Sequence, residues 1–419
     1  MSRTRQKTPL ELCQTLESRG IATWQHGESL LNELRAGVHP APPPALATPD
    51  AAGRAPTQSL LCEADVKELL SVLPHAVVTA SGERRITVAT SQGPIDLFPI
   101  RTEKLEAMLL DFGLSPLAFA YRPTEATWCD PSGARSQFER GLLDATRRDP
   151  NVFVIAPRRF WIAARLLSQY ALAPSAELVD AARSALAETL DRLPQAAPAR
   201  REISRILSSE DPARGLEFLR KSGVSHALFP GVKSASESII ARLALRPALR
   251  WAAWLEGSAT QRALVRLRMP HDIARNIERL QRAHPIDLKI KTLREAGLRK
   301  ILQRLSPQEI DELIHWRRLE LAEADQTEET RLCNKSLDEV EVRFAELRHH
   351  REQSGRVQAL VLDGKTIMET LGAGPGPQVG RALAHLAQFV EKSPDSNQVD
   401  VLQAELARWA TAQKSADPA

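Results

Sequence analysis

Three stretches of the chain are short, largely apolar runs with β-branched residues: HAVVTA (75–80), RRITVAT (84–90) and PIDLFPI (94–100). Their β-branched side chains, with SGE and SQG between them, predict a small antiparallel meander. AFAYRP (118–123) and ATWCD (126–130) predict two further strands, followed by a turn at Pro131–Gly133. The period elsewhere is helical. Residues 7–37 read as one or two helices and Glu63 to Leu73 as a short one. From Gln137 onward every segment reads as helix: 137–147, 157–171, 176–192, 199–208, 211–222 and on to the end. Residues 38–58 are rich in Pro and Ala and predict a loop or flexible insert. No internal repeat interrupts this order.

Near the C-terminus, DGKTIMETL (363–371) is a short amphipathic helix with Ile367, Met368 and Leu371 on one face. Gly372 follows in the C-cap position, where a residue without Cβ turns left-handed most easily. GAGPGP is then a stiff loop, and Gln378 to Phe389 starts another helix.

The chain of 419 residues is long enough for two or three domains with real cores, and its apolar fraction of 43% is ordinary for a globular protein. No run approaches the roughly 18 apolar residues of a membrane span. The N-terminus has no apolar segment of the secretory kind. Cys13, Cys62, Cys129 and Cys333 lie far apart with no CxxC pair, which argues against a zinc site or disulfide framework and fits a reducing cytoplasm. The net charge of +4 is unevenly spread: residues 241–304 carry 15 Lys/Arg against 5 Asp/Glu, and residues 320–346 carry 9 acidic against 3 basic. The basic block, with Arg262, Arg266, Arg268, Arg275, Arg279, Lys289 and Lys291, is a candidate RNA-backbone surface. Equally, it can be a solvated helical face.

The stretch 363–380, DGKTIMETLGAGPGPQVG, resembles the signature near the C-terminus of class II tRNA nucleotidyltransferases (CCA-adding enzymes) and bacterial poly(A) polymerases. Other segments fall in that family's order. LESRGIATWQHGESLLNELRAG resembles its opening helix and first strand–loop–helix. RRITVATSQGPIDLFPIRT resembles the β-hairpin that ends in its third carboxylate strand. PRRFWIAARLL and RREISRILSSEDPARGLEFLRKSGVSHALFPGV resemble its neck helices. The resemblance implies an α+β fold: a nucleotidyltransferase-like head with a mixed β-sheet over residues 1–150, then an elongated all-α neck (151–235), body (236–350) and tail (351–419).

It implies a chemistry as well, and there the chain departs. Two-metal nucleotidyl transfer needs clustered carboxylates around a Mg2+ pair. The family's Asp-x-Asp falls here on Thr57–Gln58–Ser59, and only Asp96 stands at the third carboxylate position. Its GGxVRD loop aligns with His26–Gly27–Glu28–Ser29–Leu30–Leu31, where an acidic Glu28 would repel phosphates. Its RRDxT motif aligns with Asp111–Phe112–Gly113–Leu114–Ser115. Its EDxxR template aligns with Ile155–Ala156–Pro157–Arg158–Arg159, keeping only Arg159.

Asp96 is therefore the one candidate catalytic residue, and a solvent-facing strand-end Asp is the plainer alternative. Arg159 and Arg165 are candidates for a nucleotide or RNA phosphate; the alternative is an ion pair with Glu202. His271–Asp272 resembles a metal-binding doublet, but its place at a helix start makes Asp272 a charge suited to the helix dipole. His349–His350 has no carboxylate spaced for a metal, and Trp161, Trp251, Trp254 and Trp316 suit helix packing. No metal ligand is assigned.

The expectation is a degenerate member of the family that binds tRNA or another structured RNA in the cytoplasm, alone or with an active paralogous nucleotidyltransferase, away from membranes and with no cofactor. An active CCA- or poly(A)-adding enzyme with a displaced Mg2+ site, built from Asp96 with acids near 50–65, is the first alternative. A protein-interaction scaffold is the second.

Overall fold

The computed structural model of the chain describes residues 8–416 apart from 38–57, 82, 92, 102–103, 194–195, 258, 291–294, 356–359, 373, 375 and 394–395. The chain divides into two units, Met1–Ala283 and His284–Ala419.

The first unit opens with helix α1 (Pro9–Glu17), strand β1 (Thr23–His26), α2 (Glu28–Arg35), β2 (Gln58–Glu63) and α3 (Val66–Val72). The three β-branched runs form β3 (Val77–Ser81), β4 (Glu83–Thr90) and β5 (Gly93–Ile100). After α4 (Leu105–Asp111) come β6 (Ala120–Arg122) and β7 (Thr127–Cys129). These seven strands make one sheet in the order β3-β4-β5-β2-β1-β6-β7. β2 and β5 run parallel while the other neighbours are antiparallel, so the sheet is mixed.

Two local expectations are corrected. Glu63 does not begin the short helix. Gln58–Glu63 is a central strand, buried among apolar neighbours on both faces. The helix starts at Val66, because Asp65 accepts the backbone N–H of Glu68 while Glu68 reaches back to Asp65 in a capping box. Residues 137–147 are not one helix either. Helix α5 (Ala134–Glu139) ends at Gly141, which has φ +73°; a short strand β8 (Leu142–Leu143) follows.

One face of the sheet buries Leu60, Cys62, Ile86, Ile95 and Leu97 against Leu12 and Leu16 of α1 and Leu69 of α3. The other packs Leu61 and Ile100 against Leu105 and Leu109 of α4.

The rest of the first unit is helical except for strand β9 (Ala173–Pro174), which pairs with β8. Its helices are α6 (Val152–Ile155), α7 (Arg159–Tyr170), α8 (Ala176–Thr189), α9 (Ala197–Leu207), α10 (Pro212–Lys221), α11 (Val224–Leu228), α12 (Glu237–Arg242), α13 (Pro247–Trp254), α14 (Thr260–Arg266) and α15 (His271–Ala283). Helix α7 is buried nearly all round, as expected of a helix enclosed by others. Gly215 of α10 lets that helix approach α7 closely: a Cβ there would lie 2.9 Å from the carbonyl carbon of Ala164 and nearer still to its oxygen.

The second unit runs through α16 (Ile286–Ile290), α17 (Glu295–Arg304), α18 (Pro307–Glu323), α19 (Glu328–Gly355), α20 (Gly364–Leu371), α21 (Pro377–Lys392) and α22 (Val399–Ala416). The buried Asp287 is paired with Arg317 at 3.0 Å, and the His284 ring stacks on Trp316. The C-terminal helix–loop–helix forms as expected: α20 ends at Gly372 with φ +60°, and Ile367 joins Leu386, Leu402 and Leu406 in a core shared by α20, α21 and α22. Among the described residues no helix is long and apolar enough to cross a membrane.

Candidate nucleotide and RNA site

Strand β1 ends at His26 and turns through Gly27, whose φ of +77° is easy only for glycine, into α2. Ser59 of β2 lies beside His26 on one side of the ladder and continues the parallel register to Asp96 of β5 on the other. The three residues that the resemblance draws together are therefore neighbours across the centre of the sheet.

Their chemistry is closed. The Ser59 hydroxyl donates to the backbone carbonyl of His26 at 2.7 Å. The His26 ring is buried, stacks on Phe112 at 4.4 Å and meets the Leu117 carbonyl through Nε2 at 2.9 Å. Burial pushes the pKa of its imidazole down to about 4 although the carbonyl opposes this, so the ring is neutral at neutral pH.

The Asp96 carboxylate is 12% exposed, and both of its oxygens have partners: Arg85 Nη1 donates to one at 3.1 Å and Thr87 Oγ1 to the other at 2.7 Å. The plainer reading of a solvent-facing strand-end Asp is thereby corrected. Cross-strand pairing with β4 turns the side chain inward onto an arginine.

The acids of the displaced-site alternative are also engaged. Glu63 accepts the Trp24 indole N–H at 2.8 Å, and Asp65 caps α3. Glu63 pairs with Ile100, four positions along the strand from the pair Ser59 and Asp96. At about 3.3 Å per residue that is roughly 13 Å, far beyond the reach of one Mg2+ with its oxygens about 2.1 Å away. Asp50 and Thr57 lie outside the described residues. Among the described residues no group of three ligating side chains gathers around Asp96. One ion-paired carboxylate beside an amide and a hydroxyl does not fit a Mg2+ pair.

Arg159, at the start of α7, donates to the carbonyls of Phe112 at 3.0 Å, Val152 at 2.8 Å and Asp111. Its donors tie the Asp111–Gly113 turn to the helical region, and burial together with neighbouring Arg158 lowers its pKa. Arg165, one and a half turns further along α7, is paired with Glu202 at 2.6 Å, the alternative partner read from the sequence, and with Glu28 at 2.8 Å. Arg205 of α9 takes the second oxygen of Glu28. Burial raises the pKa of the Glu28 carboxyl, but the two guanidinium groups outweigh it and hold the acid below the usual carboxylate range.

The basic block has no single fate. Arg262, Arg268 and Arg275 are exposed on α14, α15 and the turn between them. Arg266 donates to the Leu228 carbonyl at 2.9 Å, and Arg279 leans on Asn276 at 3.4 Å. The Lys289 side chain and the whole of Lys291 lie outside the described residues, as do the side chains of His349 and His350. His271 and Asp272 are 78% and 97% exposed at the start of α15, with no further ligand near enough to join them in a metal-binding group among the described residues. Trp161, Trp251 and Trp316 are fully buried packing residues.

Three residues of the site were missed in the sequence: Arg85, Thr87 and Arg205. The first two were accessible by counting. Thr90 pairs with Gly93 across the SQG turn, so Thr87 must face Asp96 and Arg85 lies one diagonal away. Arg205 left no such signal, because helix-to-helix contacts have no sequence register.

Residues 179–236 match the family described as the probable RNA and SrmB-binding site of polymerase A. Solved structures resemble the chain along nearly its whole length. A CCA-adding enzyme in an apo form is 13% identical with a TM-score of 0.61, over 95% of this chain and 94% of that one. The chain has the fold of the tRNA nucleotidyltransferase and poly(A) polymerase family. The Bacillus stearothermophilus CCA-adding enzyme in complex with CTP is 17% identical with a TM-score of 0.59, over 97% and 98% of the two chains. The Thermotoga maritima CCA-adding enzyme complexed with tRNA is 13% identical with a TM-score of 0.59, over 94% and 93%. No curated protein sequence matches this chain.

Proposed function

We propose that this protein is a catalytically degenerate relative of the tRNA nucleotidyltransferases and poly(A) polymerases, one that holds tRNA or another structured RNA without adding nucleotides. The observation that carries the reading is the Asp96 carboxylate, ion-paired with Arg85 and bonded to Thr87, with Ser59 rather than an acid beside it on β2. Metal-assisted transfer depends on carboxylate oxygens free to ligate and close to one another.

RNA binding is supported by the matched segment 179–236, by the tRNA complex of a similarly folded enzyme, and by exposed Arg262, Arg268 and Arg275 on the following helices. Such arginines would contact phosphates and would recognise RNA by shape rather than sequence.

The test incubates purified protein with tRNA lacking its terminal CCA, labelled CTP and ATP, and Mg2+, and measures tRNA affinity across salt in the same buffer. The expected result is no incorporation together with binding that weakens steeply as salt rises. Replacing Arg262 or Arg275 by Ala should lower the salt slope by about one each. Incorporation that disappears in Asp96→Ala overturns the reading in favour of an active enzyme. Absence of both activities overturns it in favour of a scaffold.

A further inference from the structure

Helix α14 ends on a complete backbone cap. The N–H of Met269 donates to the Leu264 carbonyl at 3.0 Å, and that of Arg268 to the Val265 carbonyl at 2.9 Å. This is the Schellman arrangement, and it puts Arg268 in the left-handed region at φ +46°. There the Cβ of an L-residue crowds a carbonyl, so glycine is the favoured occupant. Elsewhere the chain follows that preference: Gly113, Gly141 and Gly223 stand two residues past the ends of α4, α5 and α10, at φ +81°, +73° and +83°. After α14 an arginine accepts the strain instead.

The strained end is held from a second helix. Arg200 of α9 donates through Nη1 to the Leu267 carbonyl at 3.1 Å and also to the Arg268 carbonyl. These carbonyls lie at the C-terminus of α14, where the helix dipole favours a cation. Arg200 belongs to the segment 179–236 that matches the RNA-binding family model. The Arg268 side chain itself is exposed and bonds to no group among the described residues. Along the chain it stands between exposed Arg262 of α14 and Arg275 of α15. An unfavourable backbone kept for a side chain that the fold does not use points to a task outside the chain. A guanidinium on a fixed turn also loses less freedom on meeting a phosphate than one on a loose turn.

Resting on the RNA-binding reading above, we infer that Arg268 is a phosphate-contacting residue for RNA, presented by a strained helix end, and that Arg200 is the positioning residue that fixes this end. Stability and binding then pull in opposite directions at position 268. The residue best for the turn is glycine, and the residue best for RNA is the arginine present.

The experiment follows binding of labelled tRNA lacking its terminal CCA to the full-length protein by fluorescence anisotropy across salt, alongside thermal unfolding. Arg268→Gly should raise the unfolding midpoint by about 2 °C while weakening binding about tenfold at low salt and lowering the salt slope by about one. Arg268→Lys keeps the charge and should keep the slope. Arg200→Ala should weaken binding in the unsubstituted chain and add nothing further in Arg268→Gly, a coupling read from the double-mutant cycle. Should Arg200→Ala unfold, Arg200→Gln takes its place. Unchanged affinity and slope in Arg268→Gly overturn the inference and leave RNA binding standing. A lowered midpoint together with weaker binding makes Arg268 structural and overturns it as well, and additive losses remove the role of Arg200. Absence of salt-dependent binding by the unsubstituted chain instead overturns the RNA-binding reading, and the role of Arg268 with it.

Discussion

Gly113 and Arg159 fit one another across a long stretch of chain: a Cβ on Gly113 would come within 2.7 Å of the Arg159 guanidinium carbon, Nε and Nη2. The guanidinium occupies that space to reach the carbonyls of Asp111, Phe112 and Val152. Gly113 also has φ +81°. Gly113→Ala should therefore lose about 2–4 kcal/mol of unfolding free energy in urea, from left-handed strain and displacement of the arginine. Arg159→Ala should lose a similar amount, roughly 2–4 kcal/mol, because buried carbonyls are left without donors. Lysine at 159 should not restore it, having no planar fork to span three acceptors.

His26 makes stability depend on pH in the mildly acidic range. Its folded-state pKa of about 4 lies below the ordinary 6.5 because burial disfavours the imidazolium. Below pH 6.5 the unfolded chain takes up a proton that the folded chain refuses, so stability falls from pH 6.5 to about 4 and then levels. The shift corresponds to about 3 kcal/mol as an upper bound. In His26→Phe this part of the slope should vanish, as read from denaturation midpoints at half-unit pH steps.

Glu33 acts in the opposite direction. Burial raises its carboxyl pKa to about 7 against the hydrogen bond from Gln25, and its Oε2 is buried without a partner. Its contribution is intact below the unfolded pKa near 4.5 and is lost as pH rises through 7. Glu33→Gln keeps an acceptor for Gln25 and removes the charge. The variant should match the parent at about pH 4 and exceed it by about 1–2 kcal/mol at about pH 8, after discounting for partial exposure.

The C-terminal helix pair depends on its two caps. Asp363 accepts the Thr366 backbone N–H at 2.8 Å, and Gly372 closes α20 in the left-handed region. Asp363→Ala should destabilise this region by removing the cap, and Gly372→Ala by about 1 kcal/mol through left-handed strain. Hydrogen exchange should show faster opening of 364–371 with unchanged protection in β5.

Several features are legible in the residues themselves. The hairpin β4–β5, the capped helix α20 and the run of helices from α7 to α10 each follow from local periodicity and cap residues, which act within a few positions of chain. The position of Asp96 next to Ser59 followed from resemblance to the family alone, since β2 and β5 are parallel neighbours separated by a meander. The first helix–strand–helix was blurred in the pattern because β1 is only four residues long, too short for alternation to show.

The amino-acid sequence alone determined that this chain would build a β-containing head and a helical remainder. That is a statement about local pattern and residue type. Only the tertiary structure decided what the remaining charged groups do: Asp96 faces Arg85, Arg159 clamps three carbonyls, and Arg165 and Arg205 share Glu28. A guanidinium or carboxylate can serve a ligand, a partner side chain or a backbone carbonyl equally well. Which one it meets depends on groups brought in from distant segments, at distances that local sequence does not encode.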